Sequence, residues 1–215
     1  MPRHENSRAN KKQNVMKKVL LSLVLCGFVG AGFAQMNFGV TAGLNVSNVF
    51  KSGGGKQSDW KPGFQAGAFM DLAITPQLSL IPELLFTQRG FKDDSGGGGI
   101  YSSTINCLSL PVNVAYNLDL ATAGKLFPFA GLYVGYALSG SWNDTSTGGG
   151  SGDLKFGSNP SEINPLDFGL NIGAGYQFMS YIVKLQYNLG LANLSNSSSN
   201  TAKNANVAFT VGYQF

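Results

Sequence analysis

Apolar residues recur at every second position in eight segments of the chain. A period of two is the spacing of a β-strand with one apolar face, whereas an amphipathic helix repeats its apolar residues every three to four positions. Each segment is about as long as a tilted strand that crosses a lipid bilayer. The apolar faces run over residues 38–46, 64–72, 78–86, 108–116, 130–138, 166–178, 181–189 and 207–215.

The fifth segment is the least clear because both of its faces carry apolar residues. We assign one alternating set of side chains to its outer face. This set consists of Ala130, Leu132, Val134, Tyr136 and Leu138.

The connections between the segments alternate in length. Short links follow the second segment (75–77) and the sixth (179–180), whereas long polar links span 48–61, 92–103, 140–164 and 192–204. Alternating short turns and long loops are typical of a barrel in the bacterial outer membrane. The link after the fourth segment, 117–125, is longer than such a turn usually is.

Charged residues within the segments decide between two kinds of eight-stranded barrel. A soluble lipocalin-like barrel is apolar inside, whereas a membrane barrel is apolar outside. Five charges fall on the face opposite the apolar one, which favours an all-β, eight-stranded, antiparallel up-and-down transmembrane β-barrel. These residues are Asp71, Glu83, Arg89, Asp167 and Lys184.

The interior of such a barrel is only wide enough for side chains to fill. Because buried charges must be paired, we expect the five charged residues to form a polar network in the lumen. A gated path for protons or ions is the alternative interpretation.

The amino terminus has the composition of a secretory signal peptide. Lys17 and Lys18 precede a short apolar run, and small residues lead to a cleavage site after Ala34. We therefore divide the chain into a leader at 1–34, whose true start is possibly Met16, and a barrel domain at 35–215. A lipid attachment at Cys26 is a weaker alternative because a bulky leucine precedes it.

Removing the leader changes the charge and the available chemistry. Residues 1–34 contain six of the 15 basic residues and one of the 11 acidic ones, which leaves nine basic and ten acidic residues. This balance removes the electrostatic basis for binding nucleic acid. Cleavage also removes His4, the only histidine, and leaves Cys107 as the only cysteine.

Without histidine, neither a Ser-His-Asp site nor a His/Cys zinc site can be assembled. We predict no enzyme activity, no cofactor and no metal site, although a mechanism using only the carboxylates of Glu83 and Asp71 stays open. The glycine-rich stretches 92–99 and 141–153 could offer oxygen ligands to Ca²⁺, but they lack an ordered ligand spacing, which favours exposed loops.

The chain ends on an aromatic residue in an alternating strand. Tyr213 and Phe215 lie on the predicted outer face, where a closed barrel pairs the last strand with the first and membrane lipid covers it. We interpret these two residues as a carboxyl-terminal signal for the barrel-assembly machinery.

Several phrases occur in an order that resembles a family of small outer-membrane β-barrel proteins, often called porin-family or PorT-like. The resemblance covers residues 37–215 and implies an eight-stranded barrel in the outer membrane with little agreed biochemical activity. Ser109 stands where relatives commonly carry a carboxylate. The phrases are "GVTAGLNVSNV", "GFQAGAFMDLAIT", "LSLIPELLFTQRG", "LPVNVAYNL", "LDFGLNIGAGYQF" and "YNLGLANL".

Three functions remain open on the sequence. The first is a non-enzymatic outer-membrane barrel with a filled lumen, acting in envelope structure or in contact with a surface ligand or an envelope protein through its long loops. The second is a narrow passive channel for small solutes, because glycines on the inward face would widen the lumen. The third, an accessory role in protein secretion, rests on the PorT-like resemblance alone.

Overall fold

The computed structural model describes residues 36–52, 58–96, 98–159, 162–195 and 201–215. Statements about the structure refer to these residues. The predicted signal peptide at 1–34 lies outside them. No helix in the described ranges is long and apolar enough to cross a membrane.

Strands account for most of the described chain, and eight of them are long. Between them lie two short strands, β5 (Leu118–Asp119) and β7 (Ser151–Asp153), and a single 3₁₀ turn, Ala121–Ala123. The long strands are β1 (Met36–Ser52), β2 (Asp59–Ala73), β3 (Leu78–Gly96), β4 (Gly99–Tyr116), β6 (Lys125–Asp144), β8 (Leu166–Phe178), β9 (Tyr181–Gly190) and β10 (Thr201–Gln214).

The eight long strands form one closed, antiparallel ring. Each pairs with its neighbours in the chain, β4 pairs with β6, and β6 pairs with β8. The first and last strands also pair, for example Val40 with Tyr213 and Leu44 with Phe209, which closes the barrel. This arrangement confirms the predicted up-and-down, eight-stranded barrel.

The outer surface of the barrel is an apolar belt. Leu44 is 73% exposed, Leu132 62% and Leu185 57%, as expected for side chains that point away from the interior. The assignment of the fifth segment is confirmed, because Leu132, Val134, Tyr136 and Leu138 in β6 all point outward. Membrane lipid covers such a belt and keeps its apolar side chains out of water, where their exposure would be unfavourable.

Several strands extend beyond the predicted segments, so the long loops were predicted too long. β3 runs to Gly96 and β4 begins at Gly99, which makes most of the predicted loop at 92–103 a β-hairpin. β6 continues to Asp144 and pairs with β7 inside the predicted loop at 140–164. A membrane-crossing strand needs about 9–11 residues, so these extensions stand above the bilayer. In these extensions the strands stay paired, but their residues do not alternate between apolar and polar, so the sequence pattern did not reveal them.

Candidate functional site

The interior of the barrel contains the largest collection of buried polar side chains in the described residues, and we treat it as the candidate site. It has a short-turn end, at residues 74–77 and 179–180, and a long-loop end. The five predicted charged residues all lie inside, where their residues are 2–8% exposed. The structure sorts them into separate pairs along the barrel.

Glu83 on β3 and Lys184 on β9 form the most buried pair. The Lys184 Nζ donates to Glu83 Oε2 at 2.5 Å, and the two side chains are 8% and 1% exposed. The amide of Asn113 donates to the other carboxylate oxygen at 3.3 Å. Lys184 Nζ also lies 5.7 Å from the centre of the Phe69 ring, a cation–π distance. Both charges are therefore neutralised and held in place from three sides.

Arg89 on β3 and Asp167 on β8 form a second pair nearer the long-loop end. Arg89 Nη1 donates to Asp167 Oδ2 at 3.0 Å, and its guanidinium carbon lies 5.1 Å from the centre of the Tyr133 ring. The same carboxylate oxygen accepts bonds from the Tyr133 hydroxyl at 2.9 Å and the Asn204 amide at 3.3 Å. Three donors therefore converge on a single oxygen.

Asp71, the fifth predicted residue, pairs with a lysine that the sequence analysis did not select. Lys125 Nζ lies 3.6 Å from Asp71 Oδ2, with the two side chains 24% and 9% exposed. Lys125 lies at the first position of β6, within the link that the alternating pattern leaves unassigned. Four of the five predicted residues thus form two ion pairs with each other. The fifth, Asp71, pairs with Lys125 at the short-turn end.

A row of asparagine side chains connects the strands around the middle of the barrel, and the sequence analysis missed it. Asn171 donates to Asn113 at 3.2 Å, Asn188 donates to Asn171 at 2.6 Å, and Asn206 donates to Asn188 at 3.4 Å. Asn45 on β1 then donates to Asn206 at 2.9 Å, across the seam between the first and last strands. Asparagine is depleted in ordinary strands, so its repetition at inward positions was the available signal.

The row follows directly from the strand register. Asn171 pairs with Asn188, and Asn188 pairs with Asn206. Asn113 and Asn171 both face Gly131 of β6, which lies between them. A Cβ at Gly131 would lie 2.7 Å from Asn113 Oδ1, so only glycine leaves room for the two amides to meet.

Aromatic and aliphatic side chains close the short-turn end of the interior. Glycines opposite the rings make room for them: a Cβ at Gly39 would lie 2.3 Å from Phe69, and one at Gly175 would lie 2.2 Å from Phe127. Gly39 and Gly175 therefore make room for aromatic rings, whereas the channel hypothesis assumed that the inward glycines widen the lumen. This apolar floor consists of Phe69, Ile81, Ala115, Phe127, Phe129 and Ile182.

Two cavities within the barrel are as small as water molecules. One, of about 10 Å³, lies at the short-turn end beside Asp71, Phe127 and Lys184. The other, of about 30 Å³, lies at the long-loop end beside Arg89 and Asp167. A cavity of about 10–15 Å³ holds one water. Side chains line both cavities, and the described residues contain no cluster of three metal-ligating groups.

Connecting segments fold over the long-loop end. Leu154 N donates to Gly140 O at 2.9 Å, and Asn164 N donates to Leu194 O at 3.0 Å. Residues 154–159, 162–165 and 191–195 together are called the cap below. Within it, hydrogen bonds from Asn159 to the exposed Glu162 carboxylate lower the pKa of Glu162. The cap is thus ordered by its own hydrogen bonds as well as by those to β6.

The carboxyl terminus carries a cluster of aromatic rings on the outer surface. Tyr213 lies 5.5 Å from Tyr181 and 5.6 Å from Phe215 between ring centres, both in edge-on contacts. Phe215 is 75% exposed, and its backbone N donates to Phe38 O at 2.8 Å. The last residue is therefore held on β1 while its ring faces outward.

Comparison with known proteins agrees with this architecture. A family model described as outer membrane protein beta-barrel domain matches residues 33–196. The chain belongs to this family. The apolar belt of this outer-membrane barrel therefore lies in lipid. In barrels of this type the short turns face the periplasm and the long loops face the cell exterior, which is the side of the cap. No curated protein matches the chain.

Among solved structures, the barrel is similar to Ail, the attachment invasion locus protein of Yersinia pestis. The two are 17% identical, over 84% of this chain and 99% of that one, with a TM-score of 0.43. Neisserial surface protein A is 13% identical, over 83% and 97%, with a TM-score of 0.47. OprG of Pseudomonas aeruginosa is 14% identical, over 86% and 98%, with a TM-score of 0.46.

Proposed function

We propose that this outer-membrane barrel is a non-enzymatic, non-conducting component of the envelope whose work is done by its outward-facing loops and hairpins. The observation that supports this proposal is the filled interior. An apolar floor, the Glu83–Lys184 pair, the asparagine row and the Arg89–Asp167 pair follow one another along the barrel. A solute would have to displace all of these layers.

Conductance tests this proposal directly. Protein purified from outer membranes is inserted into a planar lipid bilayer, and its folded state is checked by a gel shift between heated and unheated samples. We expect no discrete current steps above those of the bare bilayer. Reproducible steps from folded protein would contradict the proposal and favour the narrow channel.

The extended outer sheet supports a role in surface contact or envelope structure. β3, β4 and β6 are 18–20 residues long, about twice what the bilayer requires, so they extend above the lipid as a paired sheet. On this surface Tyr101 stacks on Trp142, with ring centres 6.1 Å apart and planes within 16°.

A variant with a shorter β3–β4 hairpin tests whether this surface makes contacts without being needed for folding. Removing residues 93–101 and joining the shortened β3 and β4 by an Asn-Gly turn should leave the barrel heat-modifiable, because a two-residue turn suits a hairpin. We expect cells with the shortened protein to lose adherence or aggregation that the full protein confers. Unchanged contact would count against the outer sheet as the functional surface.

We further propose that residues 1–34 direct export and that Tyr213 and Phe215 are read by the barrel-assembly machinery. Support comes from the composition of the leader and from the outward placement of both rings. Amino-terminal sequencing of the protein from outer membranes tests the cleavage after Ala34. An accessory role in secretion still rests only on the PorT-like resemblance, and affinity capture without an envelope partner would remove its support.

A further inference from the structure

The cavity of about 30 Å³ beneath the cap, called the mouth chamber here, has apolar walls and a polar floor. The walls come from three strands and from the cap, and the floor is the Arg89–Asp167 pair. As the barrel stands, the chamber has room for about two waters. The apolar wall residues are Val49, Ile105, Ala137, Phe156, Ile163 and Leu194.

The floor of the mouth chamber carries two buried polar atoms without a partner. Asp167 Oδ2 accepts three hydrogen bonds, whereas Oδ1 of the same carboxylate accepts none. Arg89 Nε likewise has no acceptor, although the residue is only 6% exposed. A buried donor and a buried acceptor left unpaired are costly, so a bound group that serves both would be stabilised there.

Gly135 of β6 leaves space beside this floor. Its missing side chain would point at nothing closer than 3.9 Å, and the nearest atoms belong to Arg89 and Asp167. At Gly131, four residues earlier on the same strand, a Cβ would lie 2.1 Å from a backbone oxygen. Glycine at position 135 therefore serves no close backbone contact and instead enlarges the mouth chamber.

We propose that the mouth chamber binds a small, uncharged amphiphile, whose hydroxyl-type head lies between Arg89 Nε and Asp167 Oδ1 and whose apolar body replaces cap side chains. A hydroxyl both donates and accepts, which matches the two unpaired atoms. The apolar body contacts the chamber walls, and Phe156 and Leu194 of the cap move aside to admit it. The proposal goes beyond the surface role, since binding in a chamber closed below needs no transport.

The charge of the floor selects an uncharged ligand. Arg89 and Asp167 neutralise each other at 3.0 Å, so an added anion or cation would find one attraction and one repulsion at similar distances. Such an ion would lose its hydration without gaining a partner of its own. We therefore expect charged analogues of a ligand to bind at least tenfold more weakly.

Binding can be measured by following backbone amide resonances of isotope-labelled protein purified from outer membranes. Benzyl alcohol serves as the probe, with benzoate and benzylammonium as charged analogues of the same shape. We expect saturable shifts at the amides of Gly135 and Cys107 with benzyl alcohol. The shifts should disappear in Gly135→Val, which fills the chamber, and persist in Ala130→Val, which adds volume on the lipid face of the same strand.

Two further readings keep the test decisive. If Gly135→Val does not fold, Gly135→Ala adds one methyl group to the same space and should weaken binding in a barrel that folds. Cys107 also lines the chamber, so benzyl alcohol should slow its reaction with methyl methanethiosulfonate at least fivefold. Shifts that never saturate, equal shifts in the filled variant, equal binding of the charged analogues, or no shift at all would overturn the proposal.

Discussion

Replacing Lys184 by methionine should cost the barrel about 3–5 kcal/mol of folding free energy, because it leaves an unpaired charge in the interior. The Glu83 side chain is 1% exposed, and the amine at 2.5 Å is its only charged partner in the described residues. After the substitution, the carboxylate keeps one neutral donor, the Asn113 amide at 3.3 Å. A hydrogen bond to a charged group contributes about 1.5–3 kcal/mol, which is less than the cost of breaking a buried ion pair, so the Asn113 amide does not replace Lys184.

The double variant Glu83→Gln/Lys184→Gln separates the cost of an unpaired charge from that of a smaller change in packing. Both replacements are uncharged and can continue the amide network of the asparagine row. We expect the double variant to lose about 1–2 kcal/mol, less than the single variant, because no charge stays unpaired. The coupling energy between the two residues is obtained from a double-mutant cycle completed by the single variants Glu83→Gln and Lys184→Gln.

Urea titration of the protein in lipid vesicles measures these differences through the fluorescence of the two tryptophans, Trp60 and Trp142. Lys125→Met is the matched control, since it breaks an ion pair of 3.6 Å whose lysine is 24% exposed. Because solvent reaches the lysine of this longer pair, we expect Lys125→Met to cost less than Lys184→Met, although Asp71 is only 9% exposed and the cost exceeds the value of about 0–1 kcal/mol for a fully exposed pair. A loss below about 1 kcal/mol in Lys184→Met, or an equal loss in the control, would refute the argument from burial.

Three further predictions concern packing and the terminus. Gly131→Ala should destabilise the barrel by about 1–3 kcal/mol through overpacking, whereas Gly135→Ala should be neutral or mildly stabilising; urea midpoints that rank the two the other way would contradict this. Phe127→Ala should cost about 3–5 kcal/mol of folding free energy because it leaves a cavity in the apolar floor at the short-turn end. Phe209→Ala on the lipid face should cost less because lipid refills the space, and calorimetry compares the stabilities of the two variants. Deleting Phe215 should lower the heat-modifiable fraction in outer membranes, and Phe215→Trp should restore it; equal fractions would argue against an assembly signal.

The sequence was sufficient to predict the barrel, its strand order and the outward faces of its strands, including β6. A period of two fixes which side chains share a face, and the position of five charges shows which face lies inside. Both faces of that segment are apolar, so the assignment of Phe127, Phe129 and Tyr133 to the inward face rested on a choice between two similar faces. The structure buries all three rings against Gly175, Gly173 and Gly169 of a neighbouring strand, a contact that alternation along one strand does not show.

The partners of the charged residues could not be predicted, for a different physical reason. Alternation gives the face of a side chain, whereas its height in the barrel depends on the register between strands. Glu83 meets Lys184, 101 positions away, and Asp71 meets Lys125 at the start of a strand. The extent of the strands above the bilayer was also hidden, because polar residues can form hairpins there without any periodic signal.

The asparagine row has a consequence for how the barrel avoids misassembly. Asn45 and Asn206 are 161 positions apart, so their bond forms only when the two ends of the chain meet. Sliding β10 along β1 by one residue would turn the amides of β10 toward lipid, and sliding it by two so that Asn206 lies opposite Val49 would separate Asn206 from Asn45. In surroundings without water, the amides left without a hydrogen bond raise the free energy of these shifted alignments. The asparagine row therefore favours closure of the barrel in the native register of β1 and β10 over closure in a shifted one.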